Sequence, residues 1–149
     1  PHVHHHLGHP GVEQCLYDAI YERKHISELI HEHKGLQIVP ALTDVERLKR
    51  PDYDGLKYAL ADLNGYTDTV VIDGAPGFNR EAVVPLEVAD EVIVVCNPEP
   101  PSLHEASKVE EVARELGQQV LGVVVNKTER GETLSEEHIE DELGLPVLG

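Results

Sequence analysis

The segment Val70-Val71-Ile72-Asp73-Gly74-Ala75-Pro76-Gly77-Phe78 limits the possible folds of this chain more than any other stretch. A β-branched apolar run ends in an aspartate, and a Gly-x-Pro-Gly turn follows at once. Such runs suit strands covered on both faces, and a carboxylate at the C-terminal end of one sits at the rim of an α/β sheet, where open sheets bind ligands. The glycines let the backbone approach a phosphate or a hydrated metal. The layout is that of a strand-end aspartate facing Mg²⁺ and nucleotide phosphates. A lone aspartate there could equally start a turn or cap a helix. The glycine-rich turn and the mid-chain βα setting favour the nucleotide side. The usual companion, a Gly-rich loop ending in Gly-Lys-Ser/Thr, does not occur in these 149 residues.

The rest of the pattern supports a layered α/β fold. Residues 68–72, 91–96 and 119–125 read as strands, and 145–148 as the start of another. Between them, residues 53–63, 81–88 (with Pro85 inside), 102–116 and 135–143 have helical periodicity. The clearest helix is 102–116, where Ser102 and Glu105 have capping-box spacing and Leu103, Ala106, Val109, Val112, Ala113 and Leu116 share a face. Nearer the start, 12–20 and 26–33 read as short helices, the second with Ser27 as N-cap. Residues 36–41 read as a short strand, and 44–50 as a polar turn or helix broken at Pro51. Five Tyr, one Phe and no Trp leave the core to Val, Leu, Ile and Ala. The expectation is one α/β domain over 1–149, with a mostly parallel sheet and helices on both faces.

Two more strand ends carry candidate chemistry. Val123-Val124-Val125-Asn126 places an amide after a buried strand, and one Asn side chain can both donate to and accept from a purine edge. Asn126 could equally begin a turn. In Asn97-Pro98-Glu99-Pro100-Pro101-Ser102 the prolines stiffen a strand-to-helix connection, and Pro98 serves there as structure or as ligand contact. Asp73 and Asn126 are expected to share one rim of the sheet.

Other features narrow the function. The formal net charge of −16 disfavours direct nucleic-acid binding, and the acidic residues read as a solvated surface. Cys15 and Cys96 match no CxxC pattern, and with no signal peptide they suggest a reducing, cytoplasmic setting. No apolar run reaches the roughly 20 residues of a membrane span. His2, His4, His5, His6 and His9 invite a metal reading, but no cysteine or carboxylate joins them at structural-zinc spacing. His104 and His138 fall on expected helix surfaces.

VVIDGAPG, then EVADEVIVVCNPEPPSLHEASKVEEVAREL, then VLGVVVNK, in that order, resembles the MinD/ParA group of deviant-Walker P-loop ATPases, most of all archaeal MinD-type members. The resemblance runs from about residue 36 to 149. It implies a SIMIBI-class P-loop fold. Asp73 and Gly77 would belong to switch II, with Asp73 orienting a water on Mg²⁺, and Asn126 would contact adenine. Pro98 would lie near the nucleotide and the dimer face. ATP and Mg²⁺ are the implied cofactors and an ATP-dependent homodimer the implied assembly. The family's Lys-Gly-Gly-x-Gly-Lys-Thr loop and switch I aspartate are missing from this stretch, and both ends read as cut from something longer. The chain is therefore expected not to hydrolyse ATP alone, since that loop supplies most of the electrostatic stabilisation in phosphoryl transfer. An iron–sulfur relative is disfavoured without CxxC. The alternatives are a non-catalytic protein-interaction module on the same scaffold and a histidine-rich metal-binding protein.

Overall fold

The computed structural model describes residues 14–41, 52–63, 65–128 and 134–149. The chain divides into two compact units. The first takes in the chain through Pro76 and Arg80–Val88; the second is Gly77–Asn79 with Ala89–Gly149.

In the first unit, α1 (Leu16–Glu22) starts at Cys15, whose N–H donates to the buried carboxylate of Asp18 at 2.7 Å. Arg23 ends the helix in the left-handed region at φ 55°. A 3-10 turn, Ile26–Leu29, follows, and then the antiparallel hairpin of β1 (His31–His33) and β2 (Leu36–Ile38). The helix expected over 26–33 is therefore one short turn, capped by His25 rather than Ser27, whose N–H donates to the His25 ring at 3.3 Å. The reason lies at Lys34 (φ 51°) and Gly35 (φ 82°). Two successive positive φ values make the tight turn whose twist matches a hairpin, and the chain before them becomes a strand.

The helices α2 (Tyr53–Ala61) and α3 (Arg80–Val88) also belong to this unit. Asp52 caps α2 by accepting from the Gly55 N–H at 2.8 Å, as an N-cap carboxylate should. Ile20, Ile26 and Ala59 form a core with Leu16, Tyr17, Ala19, Val39, Leu56 and Leu63 around them. Glu87 binds Lys57 at 3.3 Å and Arg80 at 3.2 Å, linking α2 to α3. Residues 68–72, expected as a strand, have no strand partner among the described residues, and Val71 is 90% exposed. β-Branched composition favours a pleated, half-buried surface but does not make one without a paired neighbour. The expectation for 44–50 lies outside the described residues.

The second unit is the parallel α/β part. β3 (Glu91–Cys96) and β4 (Gln119–Val125) match their expected bounds and pair in parallel, joined by α4 (Pro100–Glu115). The register runs from Glu91 opposite Gln119 to Cys96 opposite Val125, with an irregularity between Val92 and Ile93. Val92, Val94 and Cys96 are buried, and α4 packs on both strands with Leu103, Ala106 and Ala113 buried. The opposite face of β3 shows Ile93 at 51% and Val95 at 64% exposure. The end of the chain adds a third parallel segment. Val147 bridges to Val123, and the Leu148 N–H donates to the Val123 carbonyl at 2.8 Å. Before it, α5 (Glu136–Leu143) is capped by Ser135 and closed by Gly144 at φ 63°.

The start of α4 differs from the expected capping box. Glu99 is the N-cap, and Pro100 and Pro101 fill the first positions. Proline is tolerated there because the first helical N–H groups have no intrahelical partner.

Gly122 is where the third segment comes closest. A Cβ on it would lie 2.5 Å from the Pro146 carbonyl oxygen and 2.8 Å from a Leu148 side-chain carbon. The first contact is with backbone and cannot be relieved by a rotamer change. Gly122→Ala is expected to destabilise the protein by about 1–3 kcal/mol through overpacking, read as a lower urea midpoint. An unchanged midpoint would mean that residues 146–148 do not lie this close to β4.

Candidate functional site

Two parallel strands side by side present their C-terminal ends at the same edge, so the residues following them become neighbours. Here the Asn126 N–H donates to the Cys96 carbonyl at 2.8 Å, carrying the β3–β4 ladder one residue beyond β4. The Asn126 side chain is exposed, and its Oδ1 accepts from the Lys127 N–H at 2.9 Å. Lys127 sits in the left-handed region at φ 60°, which is uncommon for a residue with a Cβ. With one lone pair of Oδ1 engaged, the amide still offers its Nδ2 donors and a second lone pair, the mixed set that a purine edge requires.

Pro98 lies on the same edge, after β3. It is buried, and its carbonyl accepts from the Leu134 N–H at 3.2 Å, next to the entry of α5. The structure thus places Asn126 and Pro98 at the same strand-end edge, Asn126 bonded to Cys96 and Pro98 two residues beyond it. Gly77, also in the second unit, is exposed at φ 94°, where a side chain would be strained although the space around it is open. Asp73 is in the first unit; it is exposed and follows residues 68–72, which have no strand partner among the described residues. The space beside Gly74 is open, since a Cβ there would meet nothing within 4 Å.

Sequence reasoning missed the role of Ser102, whose Oγ accepts from the Asn97 N–H at 2.9 Å. The available signal was a hydroxyl six residues past the strand end at Cys96, across a turn with three prolines. His104 and His138 are exposed, as expected. Among the described residues no group of His, Cys, Asp and Glu is arranged to hold a metal ion, and no helix is long and apolar enough to cross a membrane. The histidines between 2 and 9 lie outside the described residues.

No family model matches the chain. It is similar to two uncharacterized ATP-binding proteins of Methanocaldococcus jannaschii. One is 29% identical over 145 residues, 96% of this chain and 55% of that protein. The other is 31% identical over 116 residues, 77% of this chain and 44% of that protein. The chain therefore spans about half the length of these relatives. Among solved structures it is similar to the Pyrococcus furiosus cell division ATPase MinD, with 25% identity and a TM-score of 0.88 over 95% of this chain and 61% of that one. It is also similar to the Pyrococcus horikoshii septum site-determining protein MinD in complex with Mg-ADP, with 27% identity and a TM-score of 0.87 over 95% of this chain and 60% of that one. The architecture is the α/β fold of P-loop nucleotide triphosphatases. Within that class, its fold is closely similar to that of the MinD/ParA ATPases.

Cys96, the last residue of β3, is 4% exposed, and burial raises its thiol pKa above the usual value of 9.0. A raised folded-state pKa favours the native state fully below the unfolded value and loses that contribution as pH climbs through the folded value. Stability is expected to fall on the alkaline side above about pH 9, and Cys96→Ala should flatten that limb relative to the parent. Urea midpoints measured between neutral and alkaline pH check this; parallel curves for parent and variant would contradict it.

Proposed function

We propose that this chain is the adenine-reading and switch-bearing part of a MinD/ParA-type ATPase that binds MgATP, pairs with a second copy when ATP is bound, and hydrolyses ATP to drive positioning or partition. The observation that carries the reading is the strand-end edge that holds Asn126 and Pro98, in a chain whose fold is similar over 95% of its length to that of MinD with bound Mg-ADP. The curated relatives, described as ATP-binding, support the same ligand. In this reading residues 1–149 belong to one nucleotide-binding domain.

Each residue has a role that its chemistry suits. The Asn126 amide pairs with the adenine edge, its position fixed by the backbone bond to Cys96. Pro98 adds a rigid wall with no N–H to desolvate. Gly77 supplies a conformation that a residue with Cβ would resist. Asp73, charged and exposed, accepts a hydrogen bond from a water and orients it. Mg²⁺, when bound, would neutralise charge building up on the phosphates. The phosphate loop and its lysine are not among these 149 residues, so the chain alone is expected to show no ATP turnover.

In the intact protein, Asn126→Ala should raise the Kd for ATP about tenfold, the equivalent of one or two lost hydrogen bonds, and erase the preference for ATP over GTP. Asp73→Asn should lower turnover by about a hundredfold or more while leaving ATP affinity nearly unchanged. Fluorescent-nucleotide titration and phosphate release measure the two effects. Equal affinity of parent and Asn126→Ala for ATP would remove Asn126 from base recognition. An intact protein that binds no ATP would instead favour the non-catalytic interaction module.

A further inference from the structure

We infer that Ser102 is a positioning residue: its hydroxyl clamps the turn after β3 and, through that turn, holds Pro98 and the entry of α5 in the arrangement that presents Asn126 to a base. The inference rests on the nucleotide reading above for its functional consequence, but not for its structural content.

The turn has few backbone donors. Residues 97–101 include three prolines, so only Asn97 and Glu99 carry a backbone N–H. Glu99 donates to the Asn97 carbonyl at 2.8 Å, a bond contained within the turn. Asn97 donates to Ser102 Oγ at 2.9 Å, and this partly buried bond ties the start of the turn to the first turn of α4. Removing the hydroxyl would leave the Asn97 N–H without its partner in a segment that has little else to offer it, which is the expensive way to lose a hydrogen bond.

The clamp has a reach beyond its own two residues. Asn97 directly follows Cys96, whose carbonyl takes the Asn126 N–H at 2.8 Å. It directly precedes Pro98, whose carbonyl takes the Leu134 N–H at 3.2 Å. One hydroxyl therefore fixes a turn that touches the end of β4 on one side and the approach to α5 on the other. Prolines make the turn stiff, so it moves as a piece. Freed at Asn97, Pro98 would shift and its bond to Leu134 would weaken with it.

The test compares the parent with Ser102→Ala and Ser102→Thr. Amide hydrogen exchange without nucleotide gives the structural readout. Ser102→Ala should speed exchange at Asn97 and Leu134 about tenfold, the loss of one hydrogen bond. Val123, in the β4 ladder, should keep its parent rate, and Ser102→Thr, which keeps the hydroxyl, should restore both sites. The functional readout is the ratio of ATP to GTP affinity in the intact protein, which Ser102→Ala should lower at least threefold and Ser102→Thr should restore. Faster exchange at Asn97 with an unchanged Leu134 would confine the clamp to its own turn and overturn the proposal, as would an unchanged base preference. Uniformly faster exchange, including Val123, would make Ser102 a general stabiliser and also overturn it. An intact protein that binds neither nucleotide sinks the nucleotide reading alone, and the exchange at Leu134 then decides the clamp by itself.

Discussion

The parallel ladder between β3 and β4 is the constraint on which the candidate site depends. It fixes Cys96 opposite Val125, so the two chains leave the sheet at one level. A slip of one residue would turn every side chain to the other face and move Asn126 away from Cys96. The slip is opposed by alternating burial on β3: Val92, Val94 and Cys96 face α4, and their exchange for Glu91, Ile93 and Val95 would bury a carboxylate. The register is therefore held by core packing, and the geometry of the edge follows from it.

Against that fixed edge, the turn after β3 is stiff, and the residue after β4 keeps an exposed amide. Three prolines reduce the freedom of residues 97–101, and the two remaining N–H groups are both satisfied. Asn126 instead uses its side chain to hold its own backbone in a tight conformation at Lys127, and still has donors to offer. A close fit at Gly122 completes the arrangement by letting the end of the chain pair with β4. The first unit is held differently. Its described core includes Ile20, Ile26 and Ala59, and the ion pairs at Glu87 involve Lys57 and Arg80 side chains that are more than half exposed, where such pairs contribute little.

The likeness to MinD structures and the strand-end chemistry bear on different questions. The first establishes the fold, at TM-scores of 0.88 and 0.87. The second concerns what particular side chains can do. Asp73 shows why both are needed: its motif names a chemistry, while the residues before it have no strand partner among the described residues. Fold likeness alone would not say whether an amide or a carboxylate at a given edge is available to a ligand.

Much of this chain was legible in its sequence. Strands β3 and β4 were readable to the residue, because Val-rich apolar runs of strand length stand there between turn and helix residues. The helix α5 was readable from Ser135 and Gly144, since caps are local chemistry. Asn126 and Pro98 were legible as strand-end residues for the same reason. What only the tertiary structure decided was pairing. Whether 26–33 became a helix or a turn and a hairpin, whether 68–72 found a neighbour, and whether Ser102 capped a helix or held Asn97 all depended on atoms distant in sequence or on competing local partners. Periodicity and propensity describe what a segment can present; hydrogen-bond partners and burial determine which of those options the chain adopts.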